Sequence, residues 1–420
     1  MNFIWLKPPE NLLDNFDVEL QDFYREVLSK EVSVTNRNNI CKIKAALKEV
    51  VSAYTKETVD ALSSRIKFDS AAKRFAYIFK HCPCFTSAVA RHFKQILDND
   101  QTILWNSLQR RKLNICCLGG GPASDAVAIC RVVNSVQSWF WIRDPRPLEI
   151  TVTVVDLNEG WKNTARNVLK TLEETPHFFD SEKMSLNFKF FSTDLTKPMN
   201  EEVQNVVKSA DIVTMVYFVS AVNGSKVKDK APQMIQQIMT NMKPGTLLFY
   251  LDSSKYLHYE GISAVAKSFK DLNQAYGPKL REFHTLSLNS VKRYFKIYSG
   301  IFQNYLCLTN CFVSVTAWTK MDELAINSEK GPCYQREIEE KISYGKNSWH
   351  KMMSYKSYKM FSFREKLRNL MMDEFGFPFF LEDVEEAENG TDCKKPQKLS
   401  TQHKIFYPTK SKRKRIYSDG

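Results

Sequence analysis

From about Asn11 to Leu108 apolar residues recur at spacings of three and four, as in Leu20, Phe23 and Val27 and again in Phe75, Ile78, Phe79 and Cys82. That period places them on one face of α-helices, and the absence of glycine from the whole stretch agrees with it. One helix is predicted to start at Asp69-Ser70 and run through Ala71, Ala72, Phe75 and Phe79. Another carries Ala88, Val89, Phe93, Ile96 and Leu97 and stops at the Asp98-Asn99-Asp100 break. We read residues 1–111 as a helical N-terminal cap.

The pattern then changes to short β-rich runs separated by helical stretches, which predicts alternating β and α units and a largely parallel sheet. Strands are expected at Leu113 to Leu118, Glu149 to Val155, Leu186 to Phe191, Asp211 to Phe218 and Thr246 to Leu251. Near the end, Tyr305 to Leu308 and Phe312 to Trp318 are too close for a parallel crossover. They predict a hairpin turning at Thr309-Asn310-Cys311, so that the sheet ends in an antiparallel strand. The fold expected is α/β, Rossmann-like, with a seven-stranded mostly parallel sheet over residues 112–320. A basic and aromatic extension should occupy 321–388, and a partly disordered basic tail 389–420.

The strongest local signal is Leu118-Gly119-Gly120-Gly121-Pro122-Ala123-Ser124-Asp125, directly after an apolar strand and directly before the helical run Ala126 to Val136. Glycines at a strand-to-helix turn let the backbone approach a ligand closely, and the helix N-terminus favours an anionic group. Pro122 suits the first helical turn, where its missing N–H is harmless. The next strand ends in Asp156, placed to accept hydrogen bonds from ribose hydroxyls. The third is followed by Thr193-Asp194-Leu195, which offers a carboxylate to an exocyclic amine and a backbone N–H to a ring nitrogen. Together these make an adenosine site.

On these residues the chain resembles the class I (Rossmann-like) S-adenosylmethionine-dependent methyltransferases over about half its length. Met242 to Leu248 is similar to the family's passage from helix through turn to strand five, and a reversed last strand with Ser124 in the glycine motif speaks against a dinucleotide dehydrogenase. The resemblance implies S-adenosyl-L-methionine as cofactor, bound by Gly119, Gly120, Gly121, Pro122, Asp125, Asp156, Asp194 and Leu195. Many members carry an acid two residues before the first glycine, where this chain has Cys117, and Asp125 is the residue placed to compensate. The Asn/Asp-Pro-Pro motif of amino-methylating enzymes is replaced by Tyr217-Phe218-Val219-Ser220. Tyr217 and Ser220 are the candidate catalytic residues, Tyr217 for positioning or for packing alone; Asn223, Asp252 and His258 are secondary candidates.

A sulfonium methyl is already activated, so alignment accounts for much of the rate and few catalytic groups are expected. No cysteine lies between Arg131 and Leu306, which argues against thiol-dependent methylation of a pyrimidine carbon. The His81-Cys82-Pro83-Cys84 cluster lacks a second ligand pair, and we expect no metal there.

Composition narrows the acceptor. The 420 residues are 43% hydrophobic, enough for a sizeable core, and no apolar run approaches the ~20 residues of a membrane span. The first twenty residues lack a secretory pattern, and the cysteines in core-patterned segments read as reduced, which leads us to expect a soluble intracellular protein. Of the formal +13 charge, residues 391–420 supply +7. Lys346 to Arg368 interleaves cations with aromatics, suited to phosphates and stacked bases or to an amphipathic helix packed on the sheet. Lys412-Arg413-Lys414-Arg415 has the composition of a nuclear import signal, pointing to the nucleus, the nucleolus included, or of a merely solvated charged tail, with the cytoplasm as alternative. The expected activity is methyl transfer to RNA at a base nitrogen. A protein methyltransferase, or a non-catalytic domain that binds the donor as sensor or scaffold, are the rivals.

Overall fold

In the computed structural model the described residues begin with a 3-10 turn (Glu10–Leu13) followed by four α-helices: α1 (Phe16–Glu31), α2 (Arg37–Thr55), α3 (Ala71–Asn99) and α4 (Trp105–Arg110). The residues described are 8–33, 36–55, 66–100, 102–141, 144–223, 230–254, 256–298, 301–302 and 305–322. α3 opens as expected, with the Ser70 hydroxyl accepting from the Lys73 N–H, which satisfies one of the donors a helix start leaves free. It differs in running as one helix of 29 residues through Pro83, where two helices were expected. Proline removes one helical hydrogen bond, but Phe79, Cys82, Cys84 and Phe85 around it are all buried, so packing on both sides of the turn holds the helix together.

From Lys112 the chain alternates strand and helix. β1 (Lys112–Leu118), α5 (Ser124–Trp141), β2 (Leu148–Asp156), α6 (Trp161–Glu173), β3 (Met184–Ser192), α7 (Glu201–Ser209) and β4 (Ile212–Val216) come first. α8 (Phe218–Asn223), α9 (Ala231–Asn241), β5 (Leu247–Ser253), α10 (Tyr256–Lys267), β6 (Leu272–Thr285), α11 (Leu288–Tyr298) and β7 (Asn310–Lys320) follow. The strands form one sheet in the order β3-β2-β1-β4-β5-β7-β6. β1 to β5 pair in parallel, and β7 runs antiparallel to both β5 and β6, so six strands share one direction and the last is reversed.

Alternation along the strands sorts the core into two layers, because successive side chains point to opposite faces. Leu113, Ile115 and Cys117 of β1 with Phe249 and Leu251 of β5 face α5, α6, α11 and the N-terminal helices in one continuous apolar cluster. Cys116 and Leu118 with Val213, Met215, Leu248 and Tyr250 face α7 to α10 in a second cluster. A one-residue slip in any central strand would exchange these sets, which fixes the register. α1 is pinned to the first layer by Gln21 donating to Ser290 Oγ (2.9 Å), by Arg293 on Asp22 (2.8 Å) and by Phe16 and Phe23 against Phe178.

The final antiparallel pair is built differently from the expected hairpin. Tyr305 to Leu308 forms no strand: Leu308 N–H donates to Lys80 O (2.6 Å) and the Lys80 ammonium to Leu306 O (3.0 Å), tying the segment to α3. The partner of β7 is β6, on the far side of α11. β6 has no clean two-residue alternation, because its register against β7 shifts three times and Gly277 and Arg281 take left-handed φ of 81° and 53°. The expected fourth strand is also shorter: Phe218 already opens α8. The extension at 321–388, beyond residue 322, and the tail at 389–420 lie outside the described residues. Among the described residues no helix is long and apolar enough to cross a membrane.

Candidate active site

β1 delivers the chain to the glycine turn at the carboxyl edge of the sheet, between β2 and β4, where the strand order reverses. Gly119 donates to Val155 O (2.8 Å), locking the turn to β2. Gly119 and Gly121 take φ of 63° and 45°, which side chains disfavour. At Gly120 the constraint is space: a Cβ there would stand 2.5 Å from Cys117 Cβ and 3.0 Å from the Cys117 carbonyl oxygen. A Cβ at Gly119 would enter the Phe218 ring. Ala123 N–H closes the turn on Gly120 O (2.7 Å) with a φ of 63°. Pro122 therefore sits in the turn before α5, whose first residue is Ser124, and not in the first helical turn as its missing N–H had led us to expect.

Asp156, the last residue of β2, is buried beside this turn. Its Oδ2 accepts from Gly121 N–H (3.1 Å) and its Oδ1 from Asn158 N–H (2.8 Å). Burial raises its pKa, against the lowering effect of these hydrogen bonds. Asp194 is half-buried and closes an Asx turn by accepting from Thr196 N–H (3.1 Å) and Thr196 Oγ1 (2.6 Å). Leu195 packs in the second core layer.

Asp125 is held beneath the turn. Its Oδ2 accepts from the Thr214 hydroxyl and its Oδ1 from Ala126 N–H (3.1 Å), and the Cys117 thiol hydrogen-bonds to it as well. Burial pushes the Asp125 carboxyl above its ordinary range. The residue at the family's acidic position thus works with Asp125 and Thr214 in tying β1, α5 and β4 together.

Tyr217 stands at the end of β4, in the left-handed region at a φ of 51°, with its N–H donated to Leu251 O (2.8 Å). Its ring lies flat on Phe85 of α3, centroids 3.8 Å apart and 17° between planes, and its hydroxyl hydrogen-bonds with Cys311 at the start of β7. Ser220 gives its N–H to Asp252 Oδ2 (2.9 Å), and its hydroxyl reaches Tyr217 O at 3.4 Å. Asp252 Oδ1 accepts from Ser253 N–H (2.7 Å); fully buried, this carboxyl is pushed up to about 6 by desolvation. Asn223 ends α8, and His258 lies half-buried in α10.

Sequence reasoning missed what α3 contributes. Tyr77, His81 and Phe85, four residues apart, line one side of the helix from Trp161 to Tyr217: Tyr77 meets Trp161 (5.5 Å) and His81 (5.2 Å), and His81 meets Phe85 (5.4 Å). Trp161 in turn borders Gly121. This aromatic row therefore spans from the glycine turn to the end of β4, and its spacing of four was readable in the sequence. The same helix brings Cys84 to Cys311, with sulfurs 3.6 Å apart, so two thiols reach a site that the gap between Arg131 and Leu306 had seemed to leave without any. The His81 to Cys84 segment is a buried turn of α3, and among the described residues no group of three His, Cys, Asp or Glu could hold a metal ion.

Residues 25–270, more than half of the chain, match the model of a family described as "Putative SAM-dependent methyltransferase". The chain belongs to this family. It is an S-adenosylmethionine-dependent methyltransferase. No curated protein gives a match. Solved structures with a similar fold include a methyltransferase described as putative from Thermoplasma acidophilum, at 12% identity over 50% of this chain and 70% of that one, TM-score 0.29. A protein described as a putative RNA methyltransferase from Pyrococcus horikoshii is 12% identical over 66% and 98%, TM-score 0.31. The N-methyltransferase NodS from Bradyrhizobium japonicum, solved with S-adenosyl-L-homocysteine, is 10% identical over 56% and 99%, TM-score 0.28. At these scores the likenesses carry no argument of their own.

The methyltransferase's residues fit the cofactor. A Cβ at Gly119 or Gly120 would strike the chain's own Phe218 or Cys117, so only glycine lets the turn fold this tightly. The two amide hydrogen bonds on Asp156 orient its carboxylate and leave acceptor capacity on both oxygens, as ribose hydroxyls require. The bound cofactor supplies a sulfonium methyl that needs no further activation; what remains to the protein is to hold it, present the acceptor in line and exclude water.

Proposed function

We propose that this methyltransferase acts on RNA, at a base nitrogen. The observation that carries the reading is the stacked aromatic pair at the end of β4: Tyr217, half-buried, rests flat on buried Phe85, and in this reading its other face gives a flat heterocycle a rigid ring to stack on. The net charge of +13 favours a polyanionic acceptor. Lys346 to Arg368 and Lys412 to Arg415, both outside the described residues, add cations for phosphates. Nitrogen is favoured over carbon because carbon methylation of a pyrimidine calls for a free thiolate, whereas burial pushes the Cys84 thiol up and Cys311 is engaged by Cys84 and the Tyr217 hydroxyl.

In this reading Gly119, Gly120, Gly121 and Pro122 shape the cofactor cradle and Asp125 braces it from below. Asp156 holds the ribose, and Asp194 with Leu195 borders the adenine. Tyr217 positions the acceptor base, and Ser220 with Asp252 fixes the start of α8. The Lys412 to Arg415 cluster would direct the chain to the nucleus.

The test is label transfer from tritiated S-adenosylmethionine to a cell extract, followed by RNase or protease digestion and mass analysis of the nucleosides. RNase-sensitive label on a ring nitrogen is expected. Label that survives RNase and is lost to protease would make the chain a protein methyltransferase, and cofactor binding without label in either fraction would make it a sensor or scaffold.

A further inference from the structure

Cys84 and Cys311 stand 227 positions apart in the chain, yet the fold sets their sulfurs 3.6 Å from one another, with the Cys84 thiol directed at Cys311 Sγ. Both are free thiols. Cys84 is fully buried in α3, directly before Phe85, whose ring carries Tyr217. Cys311 is half-buried at the start of β7 and meets the Tyr217 hydroxyl as well. The two sulfurs therefore flank the Phe85–Tyr217 stack, one beside each ring. A disulfide needs its sulfurs at about 2 Å, so roughly 1.5 Å of closure separates this pair from a covalent bond.

We propose that Cys84 and Cys311 are a site of reversible oxidation: hydrogen peroxide joins them as a disulfide, and the bond lowers methyl transfer by displacing the stack on which Tyr217 rests. The inference rests on Tyr217 positioning the acceptor and not on the acceptor being RNA. Cys311, the more exposed sulfur, attacks one oxygen of the peroxide; the O–O bond breaks, the hydroxide leaves as water with the thiol proton, and Cys311 becomes a sulfenic acid. The Cys84 sulfur then attacks Cys311 Sγ, the S–O bond breaks, and the oxygen departs as water with the Cys84 proton. Two thiols thus lose two electrons, and one peroxide becomes two waters. Burial pushes the Cys84 thiol up, which keeps on it the proton that the departing oxygen takes. Cys84 has no need of solvent in this sequence, only of Cys311. Closing the gap must move Cys84 or Cys311, and with it Phe85 or the Tyr217 hydroxyl's partner. A misplacement of about 1 Å at a positioning group can cost on the order of 100-fold in rate. The hydrogen bonds that hold the glycine turn and Asp156 involve neither cysteine, so cofactor binding should survive.

The test treats the full-length protein with hydrogen peroxide, removes the oxidant, and divides the sample between peptide mass mapping after thiol alkylation and label transfer from tritiated S-adenosylmethionine to a cell extract. The Cys84 and Cys311 peptides should appear joined and lighter by two hydrogens. Turnover should fall at least about tenfold, affinity for S-adenosylmethionine should not change, and dithiothreitol should restore both the thiols and the turnover. Cys84→Ser, whatever its starting turnover, should lose none of it to the same treatment; if that variant fails to fold, Cys311→Ser takes its place. Alkylation of both thiols after peroxide, a bond from Cys84 to Cys307 instead, a joined pair with undiminished turnover, or an equal loss in the serine variant would each overturn the assignment. Label on protein in place of RNA would remove the RNA reading and leave the oxidation site standing.

Discussion

Replacing Asp156 with alanine separates cofactor recognition from folding. The carboxylate does two things: it accepts the Gly121 and Asn158 amides at 3.1 and 2.8 Å, and in our account it takes the ribose hydroxyls with its remaining acceptor capacity. A hydrogen bond to a charged group is worth about 1.5–3 kcal/mol, and 1.4 kcal/mol is a factor of ten in affinity. If the ribose contacts together amount to one such bond after water is exchanged, S-adenosylmethionine should bind roughly 10- to 150-fold more weakly. Loss of the two amide contacts should also lower the melting temperature, because the Gly121 turn loses its anchor on β2. Calorimetric titration of wild type and Asp156→Ala, each first shown to be folded by circular dichroism, reads the two effects separately. Unchanged affinity in a folded variant would refute the placement of the ribose at Asp156.

Gly120→Ala places a Cβ 2.5 Å from that of Cys117 and should cost about 1–3 kcal/mol of stability, with cofactor binding weakened beyond detection by calorimetry; a normal melting curve would show that the turn can relax. Tyr217→Phe keeps the ring on Phe85 and should retain most activity, whereas Tyr217→Ala should lower turnover of RNA roughly 5- to 150-fold, the equivalent of about 1–3 kcal/mol of stacking; equal loss in both variants would point to the hydroxyl instead. Asp252 carries a raised pKa of about 6 through burial, so the folded state binds the proton more tightly than the unfolded chain does. Its contribution to stability is therefore present at low pH and lost as pH rises from about 4 to about 6. In denaturant titrations across that window the stability of Asp252→Asn should fall less, or rise more, with pH than that of wild type, and identical slopes would contradict the assignment.

Much of this was legible in the chain because the signals were local. The glycine turn, Asp156 at the tip of β2 and the five parallel strands follow from periodicity and turn chemistry that neighbouring residues determine. What escaped is held by distant contacts. β6 has no alternation to read, since its bulges break the period and its pairing is set by β7 across α11. Tyr305 to Leu308 looks like a strand by composition, yet its backbone groups go to Lys80. α3 crosses Pro83 because burial on both sides outweighs one missing hydrogen bond. The acceptor end depends on the same kind of contact: Phe85 and Cys84 reach Tyr217 and Cys311 only once α3 has packed on the sheet. Asp125 illustrates the difference within a single motif, since its sequence position was plain while its inward partner, Thr214 on β4, was not.

The most direct test of the central claim is calorimetric titration of the full-length protein with S-adenosylmethionine, with S-adenosyl-L-homocysteine as competitor and NAD and NADP as controls. We expect one molecule of the methyl donor per chain, displaced by the homocysteine product, and no heat from either nicotinamide. Binding of a nicotinamide at the glycine turn, or of none of these ligands by the folded protein, would contradict the account.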